Sequence, residues 1–228
     1  MSVSPTMTIL FCIVATSCAA PREGARPAVL TPAVHRSAPA PSRPTIRPED
    51  ARARAVGAAG RLVGPLRGGG PRDAVALIQT VYGSSGVEIP RGSQDGTDAI
   101  RALHAWARQE GLLHQRTRPN AGDVAFFHDT HDENGDGRRN DPLTHAALVE
   151  RVEQDGTVVL ISRVKSGVVR LRMNLQQPAV RRDRKTGRVL NHYLRAALGR
   201  EQSRTAAQLF AGFASMGGGI TPPRVAMK

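Results

Sequence analysis

Cysteine is almost missing from this sequence: its only two copies, Cys12 and Cys18, fall within the first twenty residues. A chain processed after that segment carries no thiol, so it forms no disulfide and has no cysteine nucleophile. Lysine is nearly as scarce, since all but three of the 32 basic residues are Arg. Aromatic residues make up only 4% of the chain, with a single Trp. Proteins that bind single-stranded nucleic acid interleave stacking aromatics with basic residues. That supply is lacking here, and nucleic acid is not an expected partner. The apolar run near the N-terminus is also too short to cross a bilayer, which takes about 20 residues.

Positive charge is plentiful. Against 19 acidic residues the 32 basic ones give a formal net charge of +13 and a pI of about 11.3. Such a chain is drawn to polyanions, with anionic lipid head groups and cell-wall polymers as candidates; the competing reading is an Arg-rich composition with no dedicated partner. Its 228 residues have room for one domain with a sizeable core plus appendages.

The segment "MTILFCIVATSC" is a short apolar run ending in small residues, the pattern of a secretory signal. Its ending "ATSC" resembles a bacterial lipobox. That resemblance implies lipidation at Cys18 and an exported, membrane-anchored lipoprotein of the bacterial cell envelope. The alternatives are an ordinary cleaved signal and an N-terminus with no targeting role. Residues 19–47, rich in Pro and Ala, read as a disordered tether. The folded domain is expected over 48–216, and a frayed tail over 217–228.

Pro48, Glu49 and Asp50 suit a helix start, after which Val56, Ala59, Leu62 and Val63 share one face. A second helix fits Leu77, Ile78, Val81 and Tyr82, closed by Gly83 or Gly86. A third has Asp95 or Thr97 as cap, Ile100, Leu103 and Trp106 inward, and Gly111 at its end. Past Pro119 the period changes. "DVAFF", "THAALVERV", "TVVLISRV" and "GVVRLRMNL" read as antiparallel strands joined by tight turns. "SRTAAQLFAGFASM", residues 203–216, then reads as a last helix. The expected class is α+β, with N-terminal helices packed on an antiparallel sheet and a C-terminal helix.

Asp132, Asn134, Asp136 and Gly137 spell D-x-N-x-D-G, the way a short loop gathers hard oxygen ligands around calcium. Arg138 would add its carbonyl, and Asp141 would supply the carboxylate that Leu143, in twelfth place, does not. A solvated Asx-rich turn is the alternative. His128 and His131 make a fainter zinc pattern, set against ordinary exposed loop histidines. His104, His114 and His192 show no partner. His145 opens an apolar strand directly behind the loop. A catalytic His there needs a nucleophile, best placed at a helix N-terminus, where the dipole and free N–H groups depress a thiol's pKa and stabilise an oxyanion. At the start of "DAVALIQTVYG" that residue is Ala74.

"RDAVALIQTVYGSSGVEIPRGSQDG", "NAGDVAFFHDT" and "THAALVERVEQDGTVVLI" together resemble the CHAP and NlpC-type murein hydrolases over about residues 50–175. The superfamily pattern runs D-C-S-G, then G-D-[LV]-x-F-F, then [TS]-H-[VA]-[GA]-[IL]. The resemblance implies a papain-like fold with His145 in the base position and Ser162 in the place of the third, imidazole-orienting group. It puts Ala74 where the family has its cysteine. What it implies is therefore a catalytically degenerate domain that binds peptidoglycan or another anionic envelope polymer. Two alternatives stand beside it: an active metal-dependent hydrolase using His128, His131, His145 and nearby carboxylates, and a purely structural envelope protein.

Overall fold

Three helices come first and a seven-stranded sheet follows in the computed structural model, which describes residues 46–65, 70–90, 96–197 and 202–216. The expected signal, Cys18, nearly all of the tether, the Asp95 cap and the tail after 216 lie outside the described residues.

Helix α1, Pro48–Leu62, places Pro48 in its first turn, where the missing N–H costs nothing, and Glu49 and Asp50 beside the positive end of the dipole. Its buried face is not the one the aliphatic residues mark out. Ala51, Ala55 and Ala59 are buried, while Leu62 is exposed and Val56 and Val63 are only half-buried. Small side chains at i, i+4 and i+8 let α1 lie close against α2, and that approach selects the alanine stripe.

Helix α2, Ala74–Ser84, is capped by Asp73, whose carboxylate accepts from the Ala76 N–H at 2.8 Å. Leu77, Ile78, Val81 and Tyr82 are its buried residues, as their spacing predicts. It ends in a Schellman motif: Val87 N–H donates to Tyr82 O at 3.0 Å and Gly86 N–H to Gly83 O at 3.1 Å. Gly86 sits at φ +85°, so of the two glycines it is the one that closes the helix. In α3, Gly96–Gln109, Ala99, Ile100, Leu103 and Ala107 are buried and Trp106 is half-buried.

The sheet holds β1 (Gly64–Pro65), β2 (Leu113–His114), β3 (Val124–Phe127), β4 (His145–Val152), β5 (Val158–Val164), β6 (Gly167–Met173) and β9 (Phe210–Ala214), in the order β1-β6-β5-β4-β3-β9-β2, all antiparallel. The four runs read as strands from the sequence are β3 to β6. Gly167 is required where β1 meets β6, because a Cβ there would lie 2.2 Å from Gly64 O.

Alternation divides the core in two. Val124, Phe126, Ala146, Leu148 and Ile161 pack under the three helices. Ala125, Phe127, Ala147, Val149 and Leu160 pack on the other side with Leu209 and Phe213. Burying each large side chain of this kind favours folding by roughly 1.5–3 kcal/mol. The arrangement is α+β, with helices covering one face of a large antiparallel sheet.

The C-terminal helix expected over 203–216 is not formed. Those residues make β8 (Arg204–Thr205), a 3-10 turn at Ala207–Leu209 and then β9; β8 pairs with β7 (Tyr193–Arg195) in a separate two-stranded sheet. The alanines favour a helix locally, but β9 fits between β3 and β2 and satisfies the backbone groups of both. Its alternation also sends Phe213 into one core cluster and Ala214 into the other. Tertiary pairing overrides the local propensity.

Candidate functional site

The loop from Phe127 to His145 is tied at its neck. Asp129 N–H donates to Asp141 O at 2.9 Å, Asp141 N–H to Asp129 Oδ1 at 2.8 Å, and Thr144 N–H to Phe127 O at 2.9 Å. Leu143 N–H donates to His128 Nδ1 at 3.1 Å, and Thr144 Oγ1 lies 2.9 Å from both Thr130 N and Thr130 Oγ1. Asp129 and Leu143 adopt positive φ, +50° and +56°, which is costly for a branched residue such as Leu143. This neck fixes where β4 begins and so where its first residue, His145, stands.

His145 Nε2 lies 2.6 Å from Ser162 Oγ, and Ser162 Oγ donates to Ala146 O at 3.2 Å. Ser162 Oγ is thus shared between the His145 ring and the Ala146 carbonyl, and the ring tautomer decides which atom donates in the shorter contact. Burial first, and the nearby His131 second, push the His145 pKa down to about 4. Near neutral pH the ring is therefore uncharged and able to accept a proton. It leans on Phe127, with ring centroids 6.2 Å apart.

Ala74 is the first residue of α2, directly after the Asp73 cap, and is buried. The approach to this helix is held at the end of β5 by Arg163 Nε, which donates to Pro71 O at 2.8 Å. Because β4 runs antiparallel to β5, the start of α2 and His145 belong to the same end of the sheet. Strand alternation separates their faces, however. Ala74 packs in the cluster of Ala146 and Ile161, while His145 and Ser162 alternate with those residues and share the side of Phe127.

The tip of the loop follows its sequence motif. Asp132 accepts from Gly135 N (2.8 Å) and Gly137 N (2.9 Å), Asn134 from Asp136 N (2.9 Å), and Asp136 from Arg138 N (2.8 Å). The Asn140 side chain and then the Arg138 amide hold the Asp136 carboxyl below the usual range. Asp141 does not join them. It is buried in the neck, bonded to Asp129 through its backbone, with Oδ2 lacking a hydrogen-bond partner. His128 is likewise engaged at Nδ1, whereas His131 is exposed. Among the described residues no three or more His, Cys, Asp or Glu side chains come together as a metal-holding group. The tip thus presents three oxygen-bearing side chains without the carboxylate expected from Asp141.

Three histidines without an expected partner have one. His114 Nε2 lies 3.1 Å from the fully buried Asp123, whose Oδ2 also accepts from Asn120 N at 2.8 Å. His192 Nδ1 accepts from Arg172 N at 2.9 Å, and His104 packs edge-on against Phe126. The cue for the first pair was available: Asp123 opens a strand that is buried throughout, and a buried carboxylate needs partners. Tyr82, also fully buried, donates its hydroxyl to Gly122 O. Together these bonds lock α2 and β2 onto the turn that begins β3.

Compared with protein-family models and with curated protein sequences, the chain matches none of them.

Proposed function

We propose that this chain is a catalytically degenerate domain of the CHAP/NlpC kind, papain-like in fold, which is exported, anchored to the membrane through Cys18, and binds peptidoglycan rather than cutting it. The observation that carries this reading is the pairing of His145 with Ser162 at 2.6 Å; the methyl group of Ala74 opens the Asp73-capped helix at the same end of the sheet but on its other face, so no nucleophile stands before the imidazole. A neutral imidazole held by a polar partner is what a papain-type base requires. A methyl group cannot attack a carbonyl, and the only cysteines lie at positions 12 and 18. Base and orienting group without a nucleophile fit recognition of a murein peptide, not its hydrolysis. The net charge of +13 suits an anionic envelope polymer. Calcium belongs to the proposal as a brace for the loop, held by Asp132, Asn134, Asp136 and the carbonyl of Arg138.

The test is incubation of purified full-length protein with murein sacculi, following release of soluble fragments. No release is expected from the wild-type chain or from His145→Ala. Release by the wild-type chain that stops both on chelation and in His145→Ala would replace this reading with the metal-dependent hydrolase.

A further inference from the structure

Residues 181–190 form a small hairpin. Arg182 bridges to Val189, Asp183 N–H donates to Arg188 O at 2.9 Å, and Gly187 N–H returns to Asp183 O at 2.9 Å. Asp183 Oδ1 accepts from Lys185 N and Thr186 N, both at 2.8 Å, so the one carboxylate of the stretch is used to build the turn. The base is fixed by the fully buried Asn191, whose amide donates to Gln177 O and Val180 O and accepts from Asn174 N. Cations therefore stand on a firm support.

Their pairing is uneven. Arg188 is tied to Glu153 and Asp155, and Arg182 donates to Gly187 O. Arg181, Arg184 and Lys185 are exposed and form no ion pair among the described residues. Burial, and then the fields of Arg172, Arg181 and Arg182, hold the His192 pKa below its ordinary range, although Arg172 itself is paired with Glu153. Next to these cations lie two of the three exposed large hydrophobic residues among those described: Val180 at 36% and Tyr193 at 47%. The Arg181 guanidinium sits over the Tyr193 ring, 5.2 Å from its centre.

Charge alone would fit any polyanion. Exposed apolar and aromatic groups beside unpaired cations fit a lipid interface, where the ring enters the head-group layer and the cations meet the phosphates. We infer that the 181–188 hairpin, with Val180 and Tyr193, is a docking surface for an anionic phospholipid membrane. This goes beyond the wall-binding reading and is measured without murein, so either can fail while the other stands.

The experiment is cosedimentation of the full chain with vesicles of phosphatidylcholine alone and with vesicles containing one third phosphatidylglycerol, at physiological ionic strength. The chain is expected to prefer the anionic vesicles. Each interfacial cation removed should weaken this binding about fivefold, so Arg181→Ala/Arg184→Ala/Lys185→Ala should lose about a hundredfold. The tip double variant Arg184→Ala/Lys185→Ala, which leaves the hairpin base untouched, should lose about 25-fold. Arg54→Ala/Arg61→Ala/Arg108→Ala removes the same charge from exposed helix positions and should lose far less. Equal losses in the two triple variants would reduce the effect to net charge and overturn the inference. So would tighter, equally hairpin-dependent binding to duplex DNA, which would reassign the partner.

Discussion

His145 Nε2 and Ser162 Oγ, on neighbouring strands, lie 2.6 Å apart, and the serine hydroxyl also reaches the Ala146 carbonyl at 3.2 Å. The pair spans β4 and β5 and is shielded by Phe127. Ser162→Ala would leave the imidazole Nε2 without its partner. A loss of about 1–3 kcal/mol is expected, read as a lower urea midpoint at unchanged slope. No loss would mean that the bond contributes nothing to the fold.

The depressed pKa of His145 makes stability depend on pH in a defined window. Its folded value of about 4 lies below its ordinary value of 6.5. Between these two values the unfolded chain takes up a proton that the folded chain refuses. Stability is therefore complete above about pH 6.5 and falls as the pH drops toward 4, by up to about 3 kcal/mol for this residue. His104 and His192, also shifted down, act in the same direction. Urea titrations at stepped pH should show the decline, and His145→Gln should flatten it. A variant with the full wild-type slope would contradict the assignment.

Tyr82 joins α2 to the turn before β3 through its hydroxyl and Gly122 O, both buried. Tyr82→Phe keeps the ring and strands the carbonyl, at a cost of about 1–3 kcal/mol. For a domain of this size the melting temperature should fall by about 2–4 °C per kcal/mol. An unchanged melting temperature would show that this bond is replaced by water.

Asp73 caps α2 through the Ala76 N–H. Asp73→Ala should cost about 1 kcal/mol, and Asp73→Ser, which restores a capping oxygen, should recover most of it. Equal losses in both variants would assign the effect to something other than the cap.

Much of this architecture was legible in the sequence, and the exceptions have physical causes. The β3 to β6 runs were readable because their β-branched and apolar residues are bounded by glycine turns such as Gly156 and Gly167. The contact between His145 and Ser162 joins two residues that the sequence singles out separately, the first as the opening of a strand behind the loop and the second through the resemblance. The last strand has the sequence of a helix: Ala206, Ala207 and Ala211 carry a helical propensity that only the unsatisfied edge of β3 overrides, and that edge is set by residues far away in the chain. The stripe of Ala51, Ala55 and Ala59 was missed for a similar reason, since hydrophobicity marked Leu62 and Val63 while packing selected small size. Asp141 directly follows Asn140, whose side chain contacts Asp136 at the tip, yet it is structurally part of the neck, because its bonds to Asp129 draw it away from the tip. Such long-range pairings leave no local pattern.

The central claim is that recognition outlasts hydrolysis at the His145 end of the sheet. The most direct measurement is a titration of the full chain with soluble murein peptides, with and without calcium, following the His145 ring resonances. The account predicts saturable shifts at His145, without any cleavage of the peptide. Shifts that never saturate, or peptide cleaved by the wild-type chain, would contradict it.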